Sequence, residues 1–409
     1  MSGATTERSA LDYDVVVVGA GLAGLVAAAS AAESGLRVGI VARSSGSLGL
    51  WSGLVSGRIP PTEAGARAVR FFMGYSAAAG LPMAEVPGTL RLVSATGRPV
   101  TSALTPRTAA ADLAPGSKVL VVGFSELADY PAALIAETAS RLAGLDCHYR
   151  SLSLGSAAGR GLAPRIARLF DDEEWFDGFL TSARRFLAAD ASSASTVLLP
   201  PVTGLDHFGR NVARLEDSLG TAVRELPALP PSVPGHRFSR LWRHRLESTG
   251  RVSVHIGRTV TGSRVENDRC RWVSDGLVRY EATSFVLATG GVAGGGIVVG
   301  PDAFFGLSRS VGDHAGLVTK PVEPVLGLET RGEGAAWLTW GVRTDYDGHP
   351  YRAGEGGGAR RLENVYVAGW EAGVSGATGP QAASTLLDAY RAGSLAARDA
   401  CLARERWET

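Results

Sequence analysis

"DYDVVVVGAGLAGLVAAASAAESGLRVGIVARSSGS", residues 12–47, is the stretch on which the fold turns. Asp14 to Val18 is a continuous β-branched run without polar alternation, the pattern of a strand buried on both faces of a parallel sheet. Gly19, Ala20, Gly21, Leu22 and Gly24 follow, with the glycines at the spacing G-x-G-x-x-G. Leu22 to Ser34 reads as an Ala-rich helix ended by Gly35 at a left-handed C′ position, and Arg37 to Val41 as a second strand. Glycines in such a turn let backbone come within contact distance of phosphate, and the helix N-terminus adds unpaired N–H groups and a positive dipole end. The fingerprint normally closes, about 20 residues on, with an acid that grips a ribose. Here the second strand runs out into Ala42, Arg43, Ser44 and Ser45, and no acid stands there.

The chain has 409 residues, 45% hydrophobic and 20% charged, enough to bury a large core in two or three domains. A net charge of +1 with no long run of one sign argues against nucleic acid as the main partner. Cys147, Cys270 and Cys401 are far apart and offer no disulfide framework, C-x-x-C pair or cluster-ligating pattern, so any iron–sulfur cluster belongs on another chain. Residues 1–11 read as a polar tail, not a signal peptide, and no apolar run reaches the roughly 18 residues needed to span a bilayer. A cytoplasmic protein is expected, with docking on a membrane partner left open. In the acidic run Asp171, Asp172, Glu173 and Glu174, consecutive helical side chains point different ways and cannot converge on one ion. The run reads as a solvated face or partner contact, and no metal site is expected.

A second strand–helix–strand rhythm starts at "KVLVVGFSELADYPAALIAETASRLAG", residues 118–144, with Gly123 alone in its turn. Without closely spaced glycines it reads as part of an inserted domain and not as a second cofactor site. The Pro-rich segment "ELPALPPSVPGHR", residues 225–237, reads as a stiff extended loop. An amphipathic helix is expected after it, with Phe238, Leu241, Trp242 and Leu246 on one face. "AGEGGGARR", residues 353–361, reads as a mobile loop. The expected organisation is a discontinuous nucleotide domain of residues 1–100 and 251–409, with 101–250 inserted as a cap, substrate or partner domain.

Two later segments bear on the cofactor. "SFVLATGG" (Ser284–Gly291) is an apolar strand ending at Thr289 and Gly290, and "LENVYVAGWEAG" (Leu362–Gly373) is another, ending at Gly369 and Trp370. In this order the three motifs resemble those of the two-dinucleotide-binding flavoprotein superfamily. The resemblance implies an α/β, Rossmann-like two-dinucleotide-binding flavoprotein fold with an inserted α/β domain. That superfamily usually has Asp where Trp370 stands, so both acids of the usual FAD signature are missing. Three readings stay open at this point: FMN, with no adenosine half to hold; an NADP site in which Arg43, Ser44 and Ser45 hold a 2′-phosphate; or a scaffold without flavin. The last helix follows "SGATGPQ", and its N-terminus is expected to face the flavin and stabilise negative charge on its reduced form, the alternative being a small-residue helix that only packs on the sheet.

The order of "VVGAGLAGLVA", "KVLVVGFSELADY", "IARLFDDEEW", "LPALPPSVPGHR", "LATGG", "WGVRTDYDG" and "LENVYVAGW" resembles the B subunits of anaerobic glycerol-3-phosphate dehydrogenases over about residues 13–398. The resemblance implies a soluble FMN-associated flavoprotein subunit, with FAD as the alternative cofactor. It would work beside an FAD-containing dehydrogenase subunit and an iron–sulfur subunit that tethers the complex to the inner face of the membrane. The complex would oxidise glycerol 3-phosphate to dihydroxyacetone phosphate and pass electrons to quinone. Either this chain's flavin takes the hydride from the substrate, or the FAD partner does and this chain relays electrons or serves assembly. The family's phosphate-binding glycines carry over to Gly19, Gly21 and Gly24, and the family too lacks the acid after its second strand. A phosphate substrate wants Arg geometry, for which Arg237 and Arg343 are candidates, and an alcohol donor wants a general base, for which His236 and His314 are candidates.

Overall fold

The computed structural model describes residues 9–86, 92–159, 161–291, 297–299, 317–319, 330–331, 341–353, 359–369 and 382–408. The chain divides into two compact units, one of residues 1–47, 59–75 and 241–409, the other of 48–58 and 76–240.

The first unit is built on a sheet whose parallel part runs, in space, Val252–Ile256, Val38–Ala42 (β2), Ser9–Val18 (β1), Val278–Leu287 and Val365–Val367. In chain order that is third, second, first, fourth, fifth, the doubly wound arrangement of a Rossmann-like fold. An antiparallel meander of Gly262–Glu266 and Arg269–Ser274 extends it from the N-terminal half of the fourth strand. Valines 15–18 are buried on both faces, as the unbroken apolar run requires. Helix α1, Leu22–Ala32, lies against the C-terminal helix Ala382–Glu408 through small residues. A Cβ on Gly393 would stand 2.3 Å from the Ala27 carbonyl oxygen, and Ser30 Oγ meets Ser394 Oγ at 2.9 Å. Asp14, buried at the centre of β1, accepts hydrogen bonds from the Arg37 amide at 2.6 Å and from Arg404 of the C-terminal helix. The flanks of the glycine-rich stretch near residue 355 pair as an antiparallel hairpin, Tyr351–Ala353 with Ala359–Arg361; residues 354–358 lie outside the described residues.

Cys270, on the meander, is buried, and burial pushes its thiol up to about 12. Alkylation of the native protein at neutral pH should therefore spare Cys270 and label it only after denaturation, which peptide mass analysis checks.

The second unit is a four-stranded parallel sheet in the spatial order Asp146–Leu152, Lys118–Phe124, Thr196–Leu199, Ala222–Glu225. This too is a doubly wound α/β layer, with helices Ala132–Ala143 and Phe208–Leu219 among its crossovers. Residues before 101 join this unit through strand pairings, one of them a local hairpin. Met83–Glu85 pairs with Leu104–Pro106, Leu92–Val93 with Pro99–Val100, and Val55 bridges to Leu104. Residues 48–58 and 76–100 thus lie with the second unit, and 241–250 with the first. The extended Pro-rich loop is shorter than its sequence suggests, because the helix begins at Val233 and runs to Glu247. Phe238, Trp242 and Leu246 are fully buried along one face of it, as the helical spacing predicts.

Asp172, Glu173 and Glu174 of the acidic run are exposed, as a solvated face requires, and two of its acids also have structural roles. Asp172 caps the helix Glu173–Ala191, accepting from the Trp175 amide at 3.0 Å. Asp171 accepts from the Leu205, Asp206 and His207 amides at 2.7, 3.0 and 2.9 Å, tying down the loop that leads into Phe208–Leu219. Among the described residues, no group of three His, Cys, Asp or Glu side chains has the arrangement to hold a metal ion.

Candidate functional site

In the first unit the three glycine-bearing motifs meet at the carboxyl ends of neighbouring strands. β1 pairs with Val278–Leu287 in parallel, and the Ala288 amide donates to the Val18 carbonyl at 2.8 Å. That sets Thr289 and Gly290 beside the glycine turn. The Ala368 amide donates to the Leu287 carbonyl at 2.8 Å, which brings Gly369 to the same edge. The strand order reverses between β1 and the fourth strand, and such a switch point is where open α/β sheets bind ligands.

Each glycine has a distinct steric reason. Gly19 has φ +119°, and a Cβ on it would stand 2.2 Å from the Ala288 carbonyl oxygen. A Cβ on Gly24 would stand 1.9 Å from the Gly19 carbonyl oxygen, so α1 closes directly on the turn. Gly21 differs: its Cβ would meet only the Ser45 carbonyl oxygen, at 3.9 Å, and Gly21 is the helix N-cap without any side-chain cap. The first turn of α1 carries no acid. Ala20 is buried, whereas Gly21 and Leu22 are half-buried. The surroundings of Gly21 thus leave room and amide donors for a phosphate group, and repel none by charge. A Cβ on Gly369 would stand 2.8 Å from Ala23 Cβ, so the last strand's turn packs on the same helix start.

At the end of β2, Arg43 and Ser44 are exposed, and Ser44 Oγ accepts from the Gly46 amide at 3.2 Å. Arg43 forms no ion pair among the described residues. Trp370 and His314 lie outside the described residues, as does the segment 370–381 that leads into the last helix.

The remaining described candidates fall in different units. Arg343, in the first unit, is exposed with its guanidinium 4.8 Å over the Tyr351 ring. His236, in the second, is exposed at the start of its helix. Arg237 stands among the residues suited to a substrate phosphate, but its side chain is only 1% exposed and committed elsewhere. Its guanidinium donates to both oxygens of Glu225 at 2.6 and 2.9 Å and to the Gly204 carbonyl at 2.7 Å, and it lies 4.4 Å over the Phe208 ring. Glu225 also accepts from the Thr203 amide and hydroxyl and from the Thr108 hydroxyl. Burial pushes the Glu225 carboxyl up; the Arg237 charge and the hydrogen bonds from Arg237 and Thr203 outweigh it and hold the group below its usual range.

The corresponding turn of the second unit is unsuited to phosphate. Glu126 occupies it, accepting from Ser153 Oγ at 2.7 Å and the Leu154 amide at 3.0 Å. A Cβ on Gly123 would stand 2.9 Å from Ala132 Cβ, so that glycine serves helix packing. Two histidines of the first unit that sequence reasoning passed over are already engaged. His349 is buried, its Nδ1 3.0 Å from the Val365 carbonyl oxygen, and His255 Nε2 lies 2.8 Å from the Tyr13 hydroxyl. His349 directly follows Gly348 at the end of the WGVRTDYDG stretch, which could have drawn attention to it.

Residues 14–57 match the family described as FAD binding domain. With the doubly wound first unit and its convergent glycine motifs, this makes the chain a Rossmann-like flavoprotein of the oxidoreductase class. It is 31% identical over 335 residues to the probable anaerobic glycerol-3-phosphate dehydrogenase B subunit of Halobacterium salinarum, a match covering 72% of this chain and 78% of that one. The anaerobic glycerol-3-phosphate dehydrogenase B subunit of Yersinia pseudotuberculosis is 26% identical over 416 residues, covering 88% and 91%. The chain belongs to the family of anaerobic glycerol-3-phosphate dehydrogenase B subunits. Among solved structures, a chain of E. coli quinol fumarate reductase aligns at a TM-score of 0.41 with 10% identity, covering 97% of this chain and 72% of that one. No helix among the described residues is long and apolar enough to cross a membrane.

Proposed function

We propose that this chain is the FMN-bearing subunit of a quinone-linked glycerol-3-phosphate dehydrogenase. It works beside an FAD-containing subunit and an iron–sulfur subunit that ties the complex to the cytoplasmic face of the membrane. The complex oxidises glycerol 3-phosphate to dihydroxyacetone phosphate. The observation that carries this reading is the convergence of Gly19–Gly24, Thr289–Gly290 and Gly369 at the switch point of a chain belonging to this family.

The N–H groups at Gly21 and the start of α1 would hold the flavin phosphate, and the backbone around Gly290 and Gly369 would line its approach. A flavin bound there supplies two-electron redox chemistry. FMN is favoured over FAD by the carboxyl end of β2, where Arg43 and Ser44 present a cation and a hydroxyl instead of a ribose-gripping acid. The phosphate end of FMN is a dianion, which a guanidinium suits better than a carboxylate does. The substrate chemistry falls to the FAD partner in this reading, and this chain relays electrons. Arg237 is committed to Glu225.

Flavin released from the purified, denatured protein should run as FMN on chromatography, at close to one per chain. FAD would overturn the account of Arg43, and no flavin, even after reconstitution with the partner subunits, would overturn the flavoprotein reading. Glycerol 3-phosphate oxidation with an artificial electron acceptor should need the partner; fast turnover by the isolated chain would refute the relay.

A further inference from the structure

The C-terminal helix Ala382–Glu408 packs on α1, on Val278–Leu287 and on Val365–Val367, the elements beside which the three glycine motifs stand. Thr385, the fourth residue of that range, is only 6% exposed and lies among the fully buried Ala383 and Leu386. A helical threonine ordinarily gives its hydroxyl to a carbonyl three or four residues back. Thr385 does not: among the described residues its Oγ1 has no hydrogen-bond partner. A buried hydroxyl left in that state lowers stability, and a fold keeps one where something else supplies the acceptor.

The neighbours of Thr385, all in the first unit, say what that acceptor is. A Cβ on Gly369 would stand 3.2 Å from the Thr385 Cγ2 methyl and 2.8 Å from Ala23 Cβ, so the three residues meet at one point. Gly369, at φ +72°, makes its turn there and brings no side chain between the other two. Ala23 is the second residue of α1, ahead of the Leu25 amide, which donates to the Gly21 carbonyl at 3.0 Å. The amides of Leu22, Ala23 and Gly24 come before that bond and have no acceptor within the helix. The first turn of α1 carries no acid. A hydroxyl thus stands beside a set of amide donors, and a group with several acceptor oxygens, a phosphate, can take them together.

We infer that Thr385 is a flavin-binding residue whose hydroxyl donates to the phosphate at the start of α1. The inference rests on the flavin reading above and adds to it a side-chain donor from the last helix. The ligand supplies the acceptor that the fold withholds.

Thr385→Val keeps the branched shape of the side chain and removes only the hydroxyl, so a ligand role and a structural role predict opposite signs. Full-length wild type, Thr385→Val and Thr385→Ser are compared as apoproteins by thermal melting and by titration with FMN, then as FMN complexes by phosphorus NMR. Thr385→Val should melt no lower than wild type, because it loses an unsatisfied buried group, yet bind FMN about ten- to hundred-fold more weakly. The phosphorus resonance of its bound FMN should move. Thr385→Ser keeps the donor and should stay within a few-fold of the wild-type affinity, with the resonance restored. Wild-type FMN affinity in Thr385→Val would overturn the inference. A Thr385→Val apoprotein melting well below wild type would make the hydroxyl part of the fold and overturn it too. Weaker binding with an unmoved resonance would overturn the contact with phosphate. A wild type that binds no FMN would refute the flavin reading itself, and the inference with it.

Discussion

Replacing Gly19 by alanine is expected to empty the protein of flavin while leaving the second unit folded. Two costs coincide at this position. The φ of +119° lies where a Cβ is disfavoured, worth at least about 1–2 kcal/mol. The added Cβ would also stand 2.2 Å from the Ala288 carbonyl oxygen, which is backbone and cannot swing aside as a flexible side chain can. Overpacking of this kind costs about 1–3 kcal/mol and is relieved only by moving the turn. The Gly19 carbonyl already lies where Gly24 permits closest approach, so any shift carries the start of α1 away from the phosphate position. Flavin affinity should fall by about 100-fold or more, since about 2.7 kcal/mol corresponds to that factor. Gly74→Ala is the control: it sits on the helix Glu63–Ala78 with nothing within 4 Å of an added Cβ. That change should leave flavin content unaltered and stabilise slightly, as Gly-to-Ala does in a helix. A Gly19→Ala protein that keeps its flavin would mean that the turn is not the phosphate cradle.

How much of this was legible in the sequence depends on the range of the interaction. Gly19, Gly21 and Gly24 announce themselves because steric rules act within a few residues, and an unbroken run such as Val15–Val18 says that both faces are buried. Asp172 was legible in principle, as an N-cap before a helical pattern, but the neighbouring acids masked it as a charged face. Leu48–Arg58 could not be assigned to the second unit from sequence, because its membership rests on Val55 meeting Leu104 and on Ser232 reaching Trp51. Arg237 shows the same limit from the side of chemistry. An arginine closing a distinctive loop looks the same in sequence whether it awaits a phosphate or closes on a glutamate twelve residues earlier. Only three-dimensional placement tells that Glu225 and Arg237 are 2% and 1% exposed and joined by two hydrogen bonds.

That pair carries the second large effect. Arg237→Met removes one partner and leaves Glu225 buried without its counter-charge, which costs about 3–5 kcal/mol. The melting transition should fall by roughly 6–20 °C, given about 2–4 °C per kcal/mol for a unit of this size. The pH dependence should also change sign. In the wild type the Glu225 carboxyl lies below its usual value of 4.5, so its contribution is fully present above that pH and is lost as pH falls through the folded-state pKa. In Arg237→Met only burial and the Thr203 and Thr108 hydrogen bonds act, burial dominates, and the carboxyl rises above its unfolded value. The penalty is then present at neutral pH and relaxes as acidification protonates the group. Urea midpoints between about pH 4 and pH 8 should therefore favour acid in the variant and neutral pH in the wild type. Combining Arg237→Met with Glu225→Gln removes both charges, and a buried pair replaced by neutral groups of similar volume costs little or nothing. The double variant should recover most of the lost stability and lose the acid-favouring slope. If Arg237→Met alone melted like the wild type, the ion pair would be incidental, and Arg237 would return to the residues available for a substrate phosphate.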